Sequence, residues 1–443
     1  MKQSSDLGEK KISKILIKLA IPSSIGFLVM SIYHIVDTIF VGQWVGTTAI
    51  AAITVVIPIS FFISSIGMAI GVGGASIISR ALGSKDKEKA LLAFGNQTTL
   101  TIGLSITLVI LGFILTDKIL ILFGGKGEIL APAREYFRII LLGVPFLAWA
   151  MMTNNVLRAE GKASTSMVVM SIPAVLNIIL DPIFIYYLDM GLAGAAWATT
   201  ISYIFCAAFT SWIFLSGKSE LYFKPQFFRI KKKIVKEIGS LGVITLARQG
   251  SISLLSLVLN NTLFSLGGEI SVAIYGIINR VIMFAMFPII GITMGFLPIA
   301  GFNYGAKNYI RVKEAIRKSF LYGSILASFL FLLIVIFSGD VVSVFSNDKT
   351  VLEHTPRALI IVFLATPIII IHSVGSGYFQ AAGKAVPALL LTLTRQFFFL
   401  IPLVIILPIF FGLEGIWYSF PIADILSTAI TWVYLSRQLK KLH

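Results

Sequence analysis

Apolar residues run along this chain in blocks of about 20 or more, separated by short polar turns. That is the pattern of helices surrounded by lipid, not of helices with one wet face. Twelve blocks can be read, at residues 17–43, 48–79, 90–115, 130–157, 164–187, 192–215, 238–265, 270–301, 312–337, 352–380, 385–410 and 413–436. Within hydrocarbon each backbone N–H and C=O must be satisfied inside its own segment, so every block predicts a helix and the expected fold is all-α and polytopic. The first block follows Lys10, Lys11, Lys14 and Lys18 and so imitates a secretory signal. It is too long for one, lacks a small-residue cleavage site and contains Asp37, so it reads as the first span.

Composition agrees with that pattern. The chain is 57% hydrophobic and only 13% charged, against about 45–50% and about 25% for soluble domains. Its single cysteine, Cys206, excludes a disulfide framework or a cysteine-built metal site. Neither a Walker A sequence nor His-Glu-x-x-His occurs, and no attached ATPase or sensor module is expected. The cluster Gly71-Val72-Gly73-Gly74 lacks the lysine and strand context of a phosphate loop. With Gly67 one turn earlier, it predicts a close helix contact.

A net charge of +16 invites a nucleic-acid reading, which the placement of the basic residues excludes. Most Lys and Arg fall in the termini and in the connections after the even-numbered spans. Only Lys118, Lys126, Arg134, Arg138, Lys349 and Arg357 lie on the opposite side. Short basic loops stay inside, so both termini are expected in the cytoplasm, with the basic loops against anionic headgroups.

The two halves repeat each other. Ala81-Leu82-Gly83-Ser84-Lys85 after the second span answers to Asn303-Tyr304-Gly305-Ala306-Lys307 after the eighth. Ala159-Glu160-Gly161-Lys162 answers to Ala381-Ala382-Gly383-Lys384, and Gly191-Leu192-Ala193-Gly194 to Gly412-Leu413-Glu414-Gly415, at offsets that agree within one residue. Six spans per repeat is an even number, so both repeats start on one side and are related by a pseudo-two-fold axis along the membrane normal. The expected organisation is an N-lobe at 1–216, a basic cytoplasmic linker at 217–237 containing Lys231-Lys232-Lys233, and a C-lobe at 238–443.

These paired turns, with an Asp181-Pro182 step in the fifth span, resemble the multidrug and toxic compound extrusion (MATE) family over essentially the whole chain. The resemblance implies two six-helix bundles that export amphipathic, often cationic, compounds in exchange for protons or sodium.

Six charges sit well inside spans: Asp37, Asp181, Asp424, Arg248, Arg280 and Arg395. Each costs about 2.5–3.5 kcal/mol at a helix centre if left alone, so they must face water or one another. Asn177 and Asp181 lie one turn apart on one helix face. Pro182 frees the Ile178 carbonyl beside them, giving a set of oxygens suited to a proton or a hard cation. Asp37, three residues after His34, is the nearest second carboxylate. Two adjacent carboxylates resist simultaneous ionisation, so one takes a proton and releases it when a cation arrives. In the family resemblance the matching cation set is Asp37, Asn177, Asp181 and Thr199, with Thr200 as the alternative; a coupling Na⁺ would sit there. The plain alternative is that the two acids only lock helices together.

In the second half, Asn260 and Asn261 stand where Asp37 would, and no acid lies in the seventh span or in the interior of the tenth, whose Glu353 stands at its very start. Ion coupling is therefore expected in the first half. Asp424 is expected to pair with Arg280 or Arg395; the competing reading puts an arginine in the substrate pathway, which would favour acidic or phosphate-bearing cargo. His34, Trp149, Met151, Met152, Arg248, Arg280 and Arg395 are the candidate pathway residues. Trp44, Trp212 and Trp432 lie near span ends and suit the interfacial belt. His372 has no metal-ligand companion and reads as a packed histidine.

The sequence thus predicts a secondary antiporter in a bacterial cytoplasmic membrane. It is expected to be a monomer without cofactor, not an enzyme, with small organic substrates and membrane lipid as its partners. The rival is a lipid-linked oligosaccharide or lipid flippase of the same wider superfamily.

Overall fold

The structure, a computed structural model, describes residues 4–442 except the side chains of His34 and Thr47. No strand occurs among the described residues. The first six membrane helices are α1 (Ile12–Trp44), α2 (Thr47–Gly83), α3 (Lys87–Ile114), α4 (Leu130–Ala159), α5 (Ala163–Asp181, continued by a π-helical turn over Pro182–Tyr187) and α6 (Gly191–Leu215). One 74-residue element, Lys232–Gly305, holds both α7 (232–266) and α8 (269–305). It breaks where Gly268 adopts φ 63, a left-handed conformation that glycine takes without strain. Then follow α9 (Tyr309–Ser343), α10 (Lys349–Phe363 with Thr366–Ala381), α11 (Ala385–Leu393, a π-helical turn over Thr394–Leu400, then Ile401–Phe411) and α12 (Leu413–Leu439).

Among the described residues nine helices are long and apolar enough to cross a membrane, and ten with the two parts of α10. The broken 74-residue element supplies one more, and α12 completes a twelve-helix fold. The span expected at 352–380 is thus bent, by 45°. Pro367 stands at the start of its second part, where it has no N–H to give the preceding turn.

The helices gather into two compact units. One comprises residues up to Asp6 together with Ile25–Thr245, the other Leu7–Ser24 together with residues from Leu246 onward. The helix α1 contributes to both and changes unit just after Pro22. In the first unit the core gathers Val41, Val56, Phe137, Leu141 and Ala196; in the second it gathers Leu259, Ile278, Leu359, Phe363 and Trp417. Large apolar side chains also point outward, among them Phe62, Ile114, Leu215, Ile336 and Ile409. That is the expected surface where lipid replaces water.

The internal repeat is written into the backbone. After α2 and after α8 the chain turns through Lys85 (φ 60) and Lys307 (φ 55), and these turns lead to Asp86 and Asn308, whose side chains cap the next helix. The turns after α4 and α10 use Gly161 (φ 80) and Gly383 (φ 76) in the same way.

Close packing needs the glycines of α2. Gly71 lies against the backbone of Met151 and Met152, and Gly74 against the Gln97 carboxamide, which donates to the carbonyls of Ile70 and Gly71. The basic segment after α6 is not a loose tether. Asn96 and Thr99 of α3 bond the backbone of residues 227–231, and Phe223 stacks among Phe94, Trp149 and Phe228.

Candidate functional site

Among the described residues four acids are buried: Asp37, Glu160, Asp181 and Asp424. Glu160 is paired with Lys162, and Asp424 with Arg395. No described cation faces the other two. Instead the carboxyls of Asp37 and Asp181 face each other directly inside the first unit, close enough to share a hydrogen bond when one of them carries a proton.

Three helices build this site with the same device, a pair of polar residues one turn apart. The helix α1 provides Tyr33 and Asp37, α5 provides Asn177 and Asp181, and α6 provides Thr199 and Tyr203. The Asn177 amide donates to the Thr199 hydroxyl at 3.1 Å. Thr200 points elsewhere, donating to the Ile139 carbonyl of α4. The Tyr33 hydroxyl lies in hydrogen-bonding contact with Thr199 and Tyr203, and Tyr136 of α4 stands beside both acids.

Four buried oxygens of the site have no hydrogen-bond partner among the described residues: Oδ1 of Asp37, Oδ1 of Asn177 and both carboxylate oxygens of Asp181. An unpartnered buried polar atom costs about 1–3 kcal/mol, more if charged. Such a cluster is stable only if something positive completes it. Two carboxylates, an amide oxygen and a hydroxyl are hard donors that suit a proton or an alkali cation. No three His, Cys, Asp or Glu among the described residues are grouped to hold a transition metal. The tyrosines were missed in the sequence, although Tyr33 and Tyr203 stand one turn from Asp37 and Thr199 respectively and so share their helix faces.

The other sequence-selected residues are spread out. The His34 side chain lies outside the described residues. Met152 is fully buried against Gly71, and Trp149 stacks on Phe223 with ring centroids 6.0 Å apart. In the second unit Arg395 takes Asp424 as a two-pronged partner, Nε to Oδ1 at 2.5 Å and Nη2 to Oδ2 at 3.3 Å. Arg280 is exposed, with its guanidinium 5.9 Å from the Phe345 ring. Arg248 is half-buried on α7 and, with Arg395, acts on the buried His372. The His372 ring bonds Thr431 of α12 at 3.1 Å.

The profile of the MatE family matches residues 22–183 and 247–406, one match in each half. "Multidrug export protein MepA" of Staphylococcus aureus is 30% identical over 433 residues, covering 96% of this chain and 94% of that protein. Two solved structures superpose over the full chain: one described as MATE in the bent conformation (TM-score 0.94, 27% identity, 98% of that chain), the other as the outward-facing conformation of a multidrug resistance MATE family transporter of the MOP superfamily (TM-score 0.92, 27% identity, 99% of that chain). A duplicated twelve-helix membrane fold, a family profile matching both halves and a relative aligned nearly end to end lead to one conclusion: the chain belongs to the MATE family of multidrug efflux transporters.

Proposed function

We propose that this protein exports amphipathic, cationic organic compounds by alternating access, driven by protons or sodium ions that bind at Asp37, Asn177, Asp181 and Thr199. The observation that carries the reading is the Asp37–Asp181 pair, face to face and uncompensated in the membrane interior. Two like charges about 4 Å apart repel by about 4 kcal/mol at an effective dielectric constant of 20. An entering cation removes that repulsion, and so does a cationic substrate nearby. Ion and cargo therefore compete for one negative site. Coupling follows when the two states of the transporter differ in their affinity for the ion.

The basic loops favour a topology with both termini in the cytoplasm of a bacterial cell, and a single chain carries all four of these residues, which supports a monomeric transporter. Export of the cargo then uses the inward ion gradient. The name of the staphylococcal relative supports small organic substrates.

The test is dye flux in proteoliposomes under separately imposed pH and sodium gradients. One of the two gradients drives uphill flux in the wild type, and Asp37→Asn or Asp181→Asn abolishes the dependence while the protein still inserts and unfolds normally. Gradient-driven flux that survives in both variants overturns the assignment.

A further inference from the structure

Outside the acid site, the first unit holds a cavity of about 790 Å³ between the ends of α3, α5 and α6 and the segment that follows α6. Its size falls within the range of ligand sites, about 300–1,000 Å³. Lys87, Lys162 and Lys218 line it together with Trp212, Ile213 and Tyr222.

The lysines are not equivalent. Lys162 is buried and neutralised by Glu160. Lys87 and Lys218 are exposed and have no acidic partner among the described residues; Lys87 lies 5.1 Å from the centre of the Tyr222 ring and Lys218 lies 3.9 Å from that of Trp212. Aromatic faces position an ammonium without cancelling its charge. The one lining acid, Glu220, already accepts the Ser4 N–H.

The wall that carries Lys218 is fixed. One oxygen of Glu160, Oε1, accepts from the Ser219 hydroxyl at 2.6 Å and from the backbone N–H groups of Glu220 and Leu221 at 2.9 and 3.1 Å. Leu221 is fully buried behind it. Next to the cavity the outer face of α6 is apolar: Trp212, which lines the cavity within one turn of the helix end, and Phe205 and Leu215 of the same helix are exposed.

We infer that this cavity binds the phosphate headgroup of an anionic phospholipid, with Lys87 and Lys218 on the phosphate and an acyl chain along the outer face of α6. Charge complementarity selects the headgroup, and the adjoining apolar stripe selects a lipid over a soluble phosphate compound. The assignment is independent of the ion-coupling reading, because it uses none of those residues.

The test is native mass spectrometry of the detergent-purified protein titrated with phosphatidylglycerol or phosphatidylcholine. Wild type retains one phosphatidylglycerol in preference to phosphatidylcholine. Lys87→Gln and Lys218→Gln each weaken retention about 5-fold, and together about 30-fold, as expected for roughly 1 kcal/mol per lysine at a membrane surface. Lys349→Gln, in a loop of the opposite side, leaves it unchanged. Equal retention of both lipids, an unaltered double variant, or displacement by millimolar inorganic phosphate overturns the inference; the last would reassign the cavity to a soluble phosphate compound.

Discussion

Replacing Asp424 by Leu strands the Arg395 guanidinium. Asp424 is buried, with its side chain 3% exposed, whereas the Arg395 side chain is 26% exposed. Removing one partner of a buried pair costs about 3–5 kcal/mol, because the remaining charge keeps its desolvation penalty and loses its compensation. A quarter-exposed arginine recovers part of that from water, which places Asp424→Leu near the lower end, at about 3 kcal/mol. Removing both charges with Arg395→Met in the same chain should cost about 1 kcal/mol or less, since an apolar pair of similar volume avoids the penalty. The double-mutant cycle should therefore return a coupling of about 2 kcal/mol or more. Thermal unfolding in detergent, followed through tryptophan fluorescence with the buried Trp417 of α12 as a nearby reporter, reads this as a Tm loss of about 3 °C for the single variant. Most of that loss should return in the double variant. A double variant as unstable as Asp424→Leu would refute the pairing argument. So would an unshifted Tm with transport abolished, because the carboxylate would then be serving the pathway.

Gly74→Ala puts a methyl group within 2.0–2.4 Å of the Gln97 side chain and breaks its bonds to the α2 carbonyls; a loss of about 2–4 kcal/mol is expected from overpacking and the lost bonds together, visible as poor yield and a lowered Tm. Thr199→Val keeps the shape of α6 but leaves the Asn177 amide without its acceptor. Ion concentration for half-maximal flux should rise about 10-fold, with the maximal rate retained. Glu160→Ala removes the three bonds that hold residues 219–221 and leaves Lys162 buried without a counter-charge. A local loss of about 3 kcal/mol raises the open population on the order of 100-fold, measured as faster tryptic cleavage after Lys218 or Lys224.

Where sequence alone was informative, the information was periodic or local. Lipid demands unbroken apolar blocks, so the helices could be bounded to within about two turns, the largest misses being the start of α7 and the end of α9. The gap between the blocks ending at 265 and starting at 270 coincides with the Gly267–Gly268 break. The spacing of Asn177 and Asp181 put both on one face before any neighbour was known. Pairing across helices was not legible: Arg280 and Arg395 are equivalent candidates for Asp424 until α11 and α12 are set side by side. The basic residues of 217–237 marked a linker, yet Leu221, Phe223 and Phe227 within it were the signal that it packs. The contribution of α1 to both units has no counterpart in the hydrophobic pattern, because lipid contact and helix contact require the same apolar side chains.

The two halves reuse a backbone, with the same left-handed turns and capped helix starts, but not a chemistry. At the offset of the paired turns, Phe399 and Leu403 replace Asn177 and Asp181, and Leu259 replaces Asp37, with the exposed Asn260 and Asn261 following it. Duplication therefore supplied two scaffolds, of which only the first keeps buried acids without a described counter-charge. In the second, the one buried acid is held by Arg395. Charge-dependent switching requires a group whose ionisation or occupancy can change at tolerable energetic cost. A carboxylate held in a two-pronged arginine pair meets that requirement poorly, since losing its partner costs several kcal/mol. Two carboxylates facing each other meet it well, because their repulsion already offsets part of the cost of taking up a positive ion.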